Sequence, residues 1–232
     1  MRPVGFSTGA LGRGDFRGAL QLLSAHAVPA LELSALRRPE LPPLLGALAA
    51  GELDLSRYAH VSLHAPSCYP PAAEAAIAHA VLGAAPLPVV LHPDALVDAA
   101  CWQPLGDRLL IENMDLRKRT GQSAAHLAGV FARLPAAGFC LDLGHALQVD
   151  ATLSEAREML RRFADRLRQV HLSLVDATGA HRPLHSPALL AFRTIAGLIP
   201  AQVPVILETP VAAEAVGEQL ARALEALPEQ GQ

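Results

Sequence analysis

Seven side chains that could bind metal or transfer protons stand at or near the ends of short apolar runs. Burying a carboxylate without a partner is costly, so a set of carboxylates beside apolar residues requires cations or shared protons. Carboxylates and imidazoles are common ligands of divalent ions and common general acids and bases. The seven residues are Glu32, His64, His92, Glu112, Asp142, His171 and Glu208.

Each of these residues alone has a simpler explanation. A single His at the end of a strand is more often a hydrogen-bonded core residue than a metal ligand, and a single Glu after an apolar run can begin a solvated loop. If these explanations held, a His, Asp or Glu at the end of one apolar run would say nothing about the residue at the end of the next run. The recurrence of the feature in seven of eight runs therefore favours one shared site.

Two further segments carry groups that could reach the same site. In Asp142-Leu143-Gly144-His145, the glycine permits a tight turn that returns His145 toward the end of its strand. The segment from His171 to His185 is rich in imidazole, and long loops of this kind often shape substrate pockets. Its additional candidates for metal or substrate contacts are Asp176, His181, Arg182 and His185.

The elements that must position these groups are predicted from the apolar runs themselves. Continuous apolar runs, rather than alternating ones, are typical of strands that are buried on both faces of a parallel sheet. The eight predicted strands are Val4–Ser7, Ala30–Leu33, His60–His64, Val89–His92, Leu109–Glu112, Phe139–Asp142, Val170–Ser173 and Val205–Glu208.

Helical segments alternate with these strands, which predicts a single (β/α)8 TIM barrel over residues 1–232. In such a barrel the active site lies at the C-terminal ends of the strands, where the seven residues occur. The fourth unit is short, with its helix predicted near Leu96 to Trp102. The turn after the first strand lacks the GxGxxG spacing of an open dinucleotide-binding sheet. The other predicted helices are Phe16–His26, Ala72–Leu82, Ser123–Leu134, Ser154–Leu167, Pro187–Leu198 and Ala212–Leu227.

Composition limits the class of protein. Hydrophobic residues make up 51% of the 232-residue chain and charged residues 18%, which suits one domain with a large core. The formal net charge of −3 argues against a nucleic-acid partner, although Arg117, Lys118 and Arg119 could form a local basic patch. Three cysteines without CxxC spacing, no secretory signal and no long apolar span predict a soluble cytoplasmic protein without a membrane partner.

The motifs resemble those of the xylose isomerase-like TIM-barrel superfamily. This superfamily includes sugar and sugar-phosphate isomerases and epimerases, and also the endonuclease IV group (AP endonuclease family 2). The resemblance covers essentially the whole chain, and the order of the motifs is more specific than any one of them. The matching segments are Ser62-Leu63-His64-Ala65-Pro66, Val90-Leu91-His92-Pro93, Ile111-Glu112-Asn113-Met114, Leu141-Asp142-Leu143-Gly144-His145, Val170-His171-Leu172 and Leu207-Glu208-Thr209.

The resemblance to ketose epimerases implies one divalent ion, Mn, Mg, Co or Zn, held by Glu112, Asp142, His171 and Glu208. It also implies that Glu112 and Glu208 act as acid and base on opposite faces of the substrate. His145 would contact a substrate hydroxyl or carbonyl group. The partner implied is a small-molecule substrate, and related barrels commonly form homo-oligomers.

The resemblance to endonuclease IV implies a cluster of two or three ions, with Zn or Fe preferred. The further ligands would be His64, His92, His145 and His181. The pattern also expects an Asp two residues before His181, where this chain has Gly179. That departure leaves a trinuclear site in doubt, with Asp176 as the candidate replacement.

Three functional hypotheses follow. We favour a metal-dependent isomerase or epimerase of a small sugar, sugar phosphate or polyol, because all four epimerase ligands are present. The alternatives are a multinuclear metal-dependent phosphoester hydrolase and a barrel that binds metal or ligand without catalysis. The first two differ in whether His64 and His92 bind metal or line the substrate pocket. Arg117 and Arg182 are candidate phosphate partners.

Overall fold

Eight parallel strands close into a barrel in the computed structural model, which describes residues 2–84 and 86–228. Each barrel strand pairs with the barrel strands that precede and follow it along the chain, and the last strand pairs with the first to close the barrel. The predicted TIM-barrel fold is therefore confirmed. The barrel strands are β1 (Val4–Ser7), β2 (Ala30–Ser34), β3 (His60–His64), β4 (Val89–Leu91), β5 (Leu109–Glu112), β6 (Gly138–Asp142), β7 (Leu167–Leu172) and β10 (Val205–Leu207).

Helices pack around the barrel and bury their apolar faces against it. The main apolar core lies between the strands and these helices, and includes Leu31, Leu63 and Leu207 from the strands. Within the described ranges no helix is long and apolar enough to cross a membrane. The helices are α1 (Thr8–Gly12), α2 (Phe16–Leu23), α3 (Leu41–Ala49), α4 (Glu74–Leu82), α5 (Ala124–Arg133), α6 (Leu143–Val149), α7 (Ser154–Arg162), α8 (Ser186–Arg193) and α9 (Val216–Ala226).

The fourth unit contains no α-helix among its described residues, so the helix predicted near Leu96 to Trp102 is wrong. The chain instead forms the short 3-10 segments Pro93–Ala95, Ala99–Cys101 and Gln103–Arg108. Glu74 on α4 accepts hydrogen bonds from this segment, which has no α-helix to pair its own N–H groups. Its carboxylate accepts from the backbone N–H groups of residues 97 and 98, at 2.9 and 2.8 Å, and from the indole N–H of Trp102 at 3.0 Å.

Three helices of the described residues are absent from the sequence prediction, and several predicted helices are too long. The helix predicted over Phe16–His26 ends at Leu23, and the one predicted over Pro187–Leu198 ends at Arg193. α3 begins with two prolines that obscure its pattern, although proline is well tolerated in a first helical turn. α1 and α6 are short and directly follow strands. α7 ends at Arg162 rather than Leu167, because Leu167 already begins β7.

The segment between β7 and α8 is more ordered than a simple loop. Two short strands, β8 (Leu174–Val175) and β9 (His181–Arg182), pair antiparallel across a turn. This hairpin follows the C-terminal end of β7, so it holds His181 over the barrel opening.

The barrel interior is polar along much of its length. The positions of β3 that alternate toward the interior carry His60, Ser62 and His64, and Glu32 on β2 contacts His171 on β7 across the interior. A small apolar cluster of Val90, Leu110 and Cys140, separate from the main core, lies on β4, β5 and β6. The interior therefore contributes little apolar burial to stability, and its polar side chains lie next to the site.

We expect Gly5→Ala to prevent stable folding. A Cβ atom at Gly5 would lie 1.5 Å from the backbone oxygen of Ala30 on the neighbouring strand, so β1 and β2 could not pair. Overpacking of this kind should cost at least about 3 kcal/mol of unfolding free energy. Gly46→Ala on α3 is the control, because no atom lies within 4 Å of its added Cβ. It should be neutral or stabilising by up to about 1 kcal/mol. Equal melting temperatures for the two variants would contradict this account.

Candidate metal centre

Four acidic or imidazole side chains converge at the C-terminal end of the barrel. Each offers a ligand atom, and these atoms all lie within 4.8 Å of one another. The group is Glu112, Asp142, His171 and Glu208, from the ends of β5, β6 and β7 and the residue after β10. A second, overlapping group contains His64, Glu112 and His171.

Buried polar atoms without partners make this group a candidate cation site. Glu112 Oε1, Asp142 Oδ2 and His171 Nδ1 make no hydrogen bond to any residue in 2–84 or 86–228. Buried polar atoms are nearly always hydrogen-bonded in folded proteins, so three orphans at one point need an explanation. Two carboxylate oxygens and an imidazole nitrogen are good ligands for a divalent ion, and the residues present fit one.

Asp142 is held so that one of its oxygens remains available. Its Oδ1 accepts the backbone N–H of His145 at 2.6 Å and thereby caps α6. The Asn113 side chain donates to the carbonyl of Asp142 at 2.8 Å and accepts its N–H at 2.7 Å. With the backbone and Oδ1 fixed, Oδ2 remains available at the cluster.

His171 also presents one free nitrogen to the cluster. Its Nε2–H donates to Glu32 Oε2 at 2.9 Å. Its Nδ1 lies 3.4 Å from Glu112 Oε1 and 3.5 Å from Glu208 Oε2. Metal-binding histidines characteristically donate their other ring N–H to a carboxylate or carbonyl. Glu32, a candidate ligand from the sequence, therefore lies behind His171 rather than among the converging atoms.

His64 and His92 approach the other oxygen of Glu112. The Nε2 atom of each ring lies 3.2 Å from Glu112 Oε2. His64 Nδ1–H donates to the carbonyl of Ala65 at 2.9 Å, which leaves Nε2 facing the carboxylate. One oxygen of Glu112 thus faces His171, and the other faces this histidine pair.

His145 and His181 form a wall of the site. His145 Nδ1–H donates to the carbonyl of Asn113 at 2.9 Å, and its ring centroid lies 5.5 Å from that of His181. His181 Nδ1 lies 2.8 Å from Ser173 Oγ and 3.7 Å from Glu208 Oε2. The β8–β9 hairpin thus brings an imidazole beside the cluster.

Three candidates from the same segment lie away from the converging atoms. Asp176 Oδ1 accepts from the backbone N–H and hydroxyl of Thr178, and Oδ2 accepts from Arg182 at 2.8 Å, so both oxygens serve the hairpin turn. Arg182 lines the mouth of the pocket. His185 is exposed at the start of α8.

Gly179 occupies a position where a side chain would collide with Arg117. An added Cβ would lie 1.8 Å from Arg117 Cζ. The Arg117 guanidinium is held by Asp115 Oδ2 at 2.6 Å and by the carbonyl of Thr178 at 2.9 Å. Arg117 is therefore held by structural contacts, and an aspartate at 179 would have to displace its guanidinium.

The two glutamates of the cluster have opposite pKa shifts. Burial raises the pKa of Glu112, but the charges of His171 and His92 outweigh it and hold that pKa well below the usual range. Burial also raises the pKa of Glu208, and the nearby imidazoles offset this only in part. Without metal, Glu112 is therefore the more firmly ionised of the two carboxyls.

His64 and His145 supply positive charge to this group, whereas burial lowers the pKa of His92. Burial opposes protonation of His64, but its hydrogen bond to Glu112 and the charge of Glu32 raise the pKa of His64 to about 9. Burial likewise opposes protonation of His145, and the charges of Asp142 and Glu112 raise the pKa of His145 to about 10. An incoming cation must compete with these protons, so its binding should release them.

A pocket of about 350 Å³ opens onto the cluster. Its floor carries acidic and imidazole groups, whereas its rim carries two arginines, apolar residues and small residues. The lining residues include Glu112, Glu208, His64, His92, His145, His181, Arg13, Arg182, Leu36 and Pro210.

Comparisons with known proteins agree on the fold. No protein-family model and no curated protein matches the chain. Endonuclease IV from Thermus thermophilus superposes with a TM-score of 0.60 at 20% identity, covering 98% of each chain. A xylose isomerase domain protein from Planctomyces limnophilus gives 0.58 at 16% identity, over 97% of this chain and 95% of that one. The chain has the fold of the xylose isomerase-like TIM barrels.

A third structure with the xylose isomerase-like fold, from Mycobacterium smegmatis, was solved in complex with magnesium. It superposes with a TM-score of 0.55 at 16% identity and covers 98% of each chain. All three identities lie below 25%, so these structures establish the fold, and the reaction must be argued from the site itself.

Several polar residues that the structure places in or near the site have no role predicted from the sequence. Asn113 positions Asp142, while His60, Ser62 and Gln169 lie in the barrel interior around Glu32. A signal was available, because polar residues occupy alternate positions of β3 and β7. In a barrel strand such alternation marks the interior face.

We expect Asp142→Asn to weaken metal binding by at least tenfold. The amide keeps an oxygen to cap α6 but removes the charge from the cluster, and loss of even an outer-shell partner typically costs 10–100-fold. Calorimetric titration with Mn²⁺ or Zn²⁺ measures the affinity. Asp115→Asn is the matched control, since Asp115 is equally buried but pairs with Arg117. Unchanged affinity in Asp142→Asn would remove Asp142 from the ligand set.

Proposed function

We propose that the protein is a divalent-metal-dependent isomerase or epimerase of a small hydroxylated substrate, such as a sugar or sugar phosphate. The observation that carries the proposal is the convergence of Glu112, Asp142, His171 and Glu208, with three orphaned ligand atoms among them, on the floor of a pocket. These four residues would hold the ion. When bound, the ion polarises a substrate carbonyl or hydroxyl oxygen and so lowers the cost of removing a proton from the adjacent carbon.

Glu112 and Glu208 are suited to move that proton. They flank His171, whose Nδ1 lies 3.4 Å from Glu112 Oε1 and 3.5 Å from Glu208 Oε2. Their environments push their pKa values in opposite directions, which is the pattern of carboxylates that divide acid and base roles. Glu208 is 9% exposed and lines the pocket, so its carboxyl can reach a bound substrate. His145, at the pocket wall, would hydrogen-bond a substrate oxygen.

The pocket supports a small substrate with an anionic substituent. A volume of about 350 Å³ suits a small sugar rather than a polymer. Arg13 and Arg182 both lie at the rim. Arg182 is paired with Asp176 at 2.7 Å, whereas the Arg13 side chain has no polar partner among the residues that the structure describes. The left-handed conformation of Arg13, with φ of 50°, ends α1 and fixes the backbone from which this side chain projects.

We expect Glu208→Gln to abolish turnover while leaving the fold intact. The amide preserves shape but cannot carry a proton between carbon positions. The measurement is proton exchange at carbon, followed by NMR in D2O over a panel of ketoses and ketose phosphates. Glu218→Gln, on the exposed surface of α9, is the control. Wild-type exchange rates in Glu208→Gln would exclude Glu208 from the mechanism.

A second candidate function is metal-dependent hydrolysis of a phosphoester. The observation in its favour is the pair His64 and His92, both 3.2 Å from Glu112 Oε2, because these two imidazoles would supply ligands for a further ion. Paired ions in hydrolases activate water and stabilise the leaving oxygen. The formal charge of −3 argues against a DNA substrate.

Metal content separates the two candidates. If one ion suffices, His92→Ala should retain the metal content of the wild type, because His92 then only lines the pocket. Elemental mass spectrometry of protein purified without added metal should find about one Mn, Co, Mg or Zn per chain in the wild type and in His92→Ala. Two or three Zn, Fe or Mn per chain, with one lost in His92→Ala, would favour the hydrolase.

A further inference from the structure

A continuous set of hydrogen bonds crosses the barrel interior beneath the candidate metal centre. His60 Nε2 lies 2.8 Å from Gln169 Oε1, and Gln169 Nε2 donates to Glu32 Oε2 at 2.7 Å. The same Glu32 oxygen accepts from His171 at 2.9 Å and from the Ser62 hydroxyl at 3.2 Å. The set therefore leads from the N-terminal end of β3 to His171, one of the four converging groups.

The Glu32 carboxylate can only accept, so it sets the direction of the hydrogen bonds around it. Gln169 Nε2 and His171 Nε2, which both face this carboxylate, also lie 2.9 Å from each other. Gln169 must turn its NH2 group toward Glu32, because its carbonyl oxygen would otherwise face a carboxylate oxygen at 2.7 Å. Gln169 Oε1 then faces His60, so His60 Nε2 carries a proton and donates. The His171 nitrogen nearest Glu32 likewise carries a proton, which leaves His171 Nδ1 as the nitrogen facing Glu112 and Glu208.

We propose that Glu32 and Gln169 are positioning residues that set the tautomer and orientation of His171 for metal binding. The proposal rests on the proposed function, because it presumes an ion at the cluster. Glu32 holds the proton of His171 on Nε2, and Gln169 holds the Glu32 carboxylate in place. His60 completes the chain by fixing the amide of Gln169.

A purely architectural role does not account for this arrangement. Strands β2 and β7 are separated by β1 and β10 in the barrel, so the contact completes no backbone pairing. TIM-barrel interiors are usually filled by branched apolar residues. Glu32 and Gln169 are 0% exposed, and burying such groups is costly unless they are hydrogen-bonded or paired. The group to which their hydrogen bonds lead here is the imidazole of His171.

The test is the metal affinity of Glu32→Gln beside that of the wild type, measured by titration with Co²⁺ and Zn²⁺. We expect a loss of about 10–100-fold, the usual cost of removing an outer-shell partner. The visible spectrum of bound Co²⁺ should change as well. Glu74→Gln is the matched control, because Glu74 is a buried carboxylate that holds backbone N–H groups and Trp102 far from the cluster. It should lower the melting temperature and leave metal affinity unchanged.

A second variant, Gln169→Met, keeps the inference testable if Glu32→Gln fails to fold. Gln169→Met keeps the length of the side chain and leaves the bond between Glu32 and His171 in place, so we expect a smaller loss of affinity. Long-range ¹H–¹⁵N NMR reports the tautomer of His171 directly. At a pH above the raised pKa of His171, where the metal-free ring is neutral, it should show the proton on Nε2 in the wild type. Glu32→Gln should show a mixed or altered state, and Gln169→Met a smaller change because its bond between Glu32 and His171 is kept.

The outcomes separate this inference from the proposed function. If the wild-type protein binds no divalent ion, the proposed function fails whatever the variants do. If the wild type binds an ion, but both variants bind it within threefold of the wild type and retain the Nε2–H tautomer, the positioning role is overturned. Equal losses in Glu74→Gln and Glu32→Gln would show a structural effect and would also overturn it.

Discussion

The completely buried carboxylate of Glu112 is the constraint around which the rest of the site is arranged. An isolated carboxylate at 0% exposure would strongly destabilise the fold, and here imidazoles on several sides compensate its charge. His64 and His92 approach one oxygen, while His145 and His171 approach the other. These imidazoles come from the C-terminal ends of β3, β4 and β7 and from the first turn of α6, which follows β6. The closure of the barrel and the charge balance at Glu112 therefore depend on each other.

This arrangement divides the barrel into two regions with different tasks. Apolar side chains that point outward from the strands pack against the helices and supply most of the hydrophobic stabilisation. The interior holds polar groups, with a small apolar cluster at Val90, Leu110 and Cys140. Because the outer layer supports the fold, the interior can hold side chains in fixed positions for a ligand.

The sequence predicts the strands well because parallel barrel strands are apolar runs of similar length at regular spacing. It predicts the fourth unit poorly, since the contacts that order this segment come from Glu74, which lies on the preceding helix. The converging carboxylates could be named from their positions at strand ends. The free nitrogen of an imidazole such as that of His145 or His171 could not, because it depends on a partner that becomes a neighbour only in the closed barrel. These partners are Asn113 for His145 and Glu32 for His171.

The packing of Arg117 over Gly179 couples these two positions in evolution. A side chain at 179 must displace a guanidinium that neutralises the buried Asp115, and the backbone there has φ of 76°, which favours glycine. Removing Arg117 first would leave Asp115 buried without its partner. Either single change is thus disfavoured alone, and a lineage could gain a carboxylate at 179 only through a destabilised intermediate or a third compensating substitution.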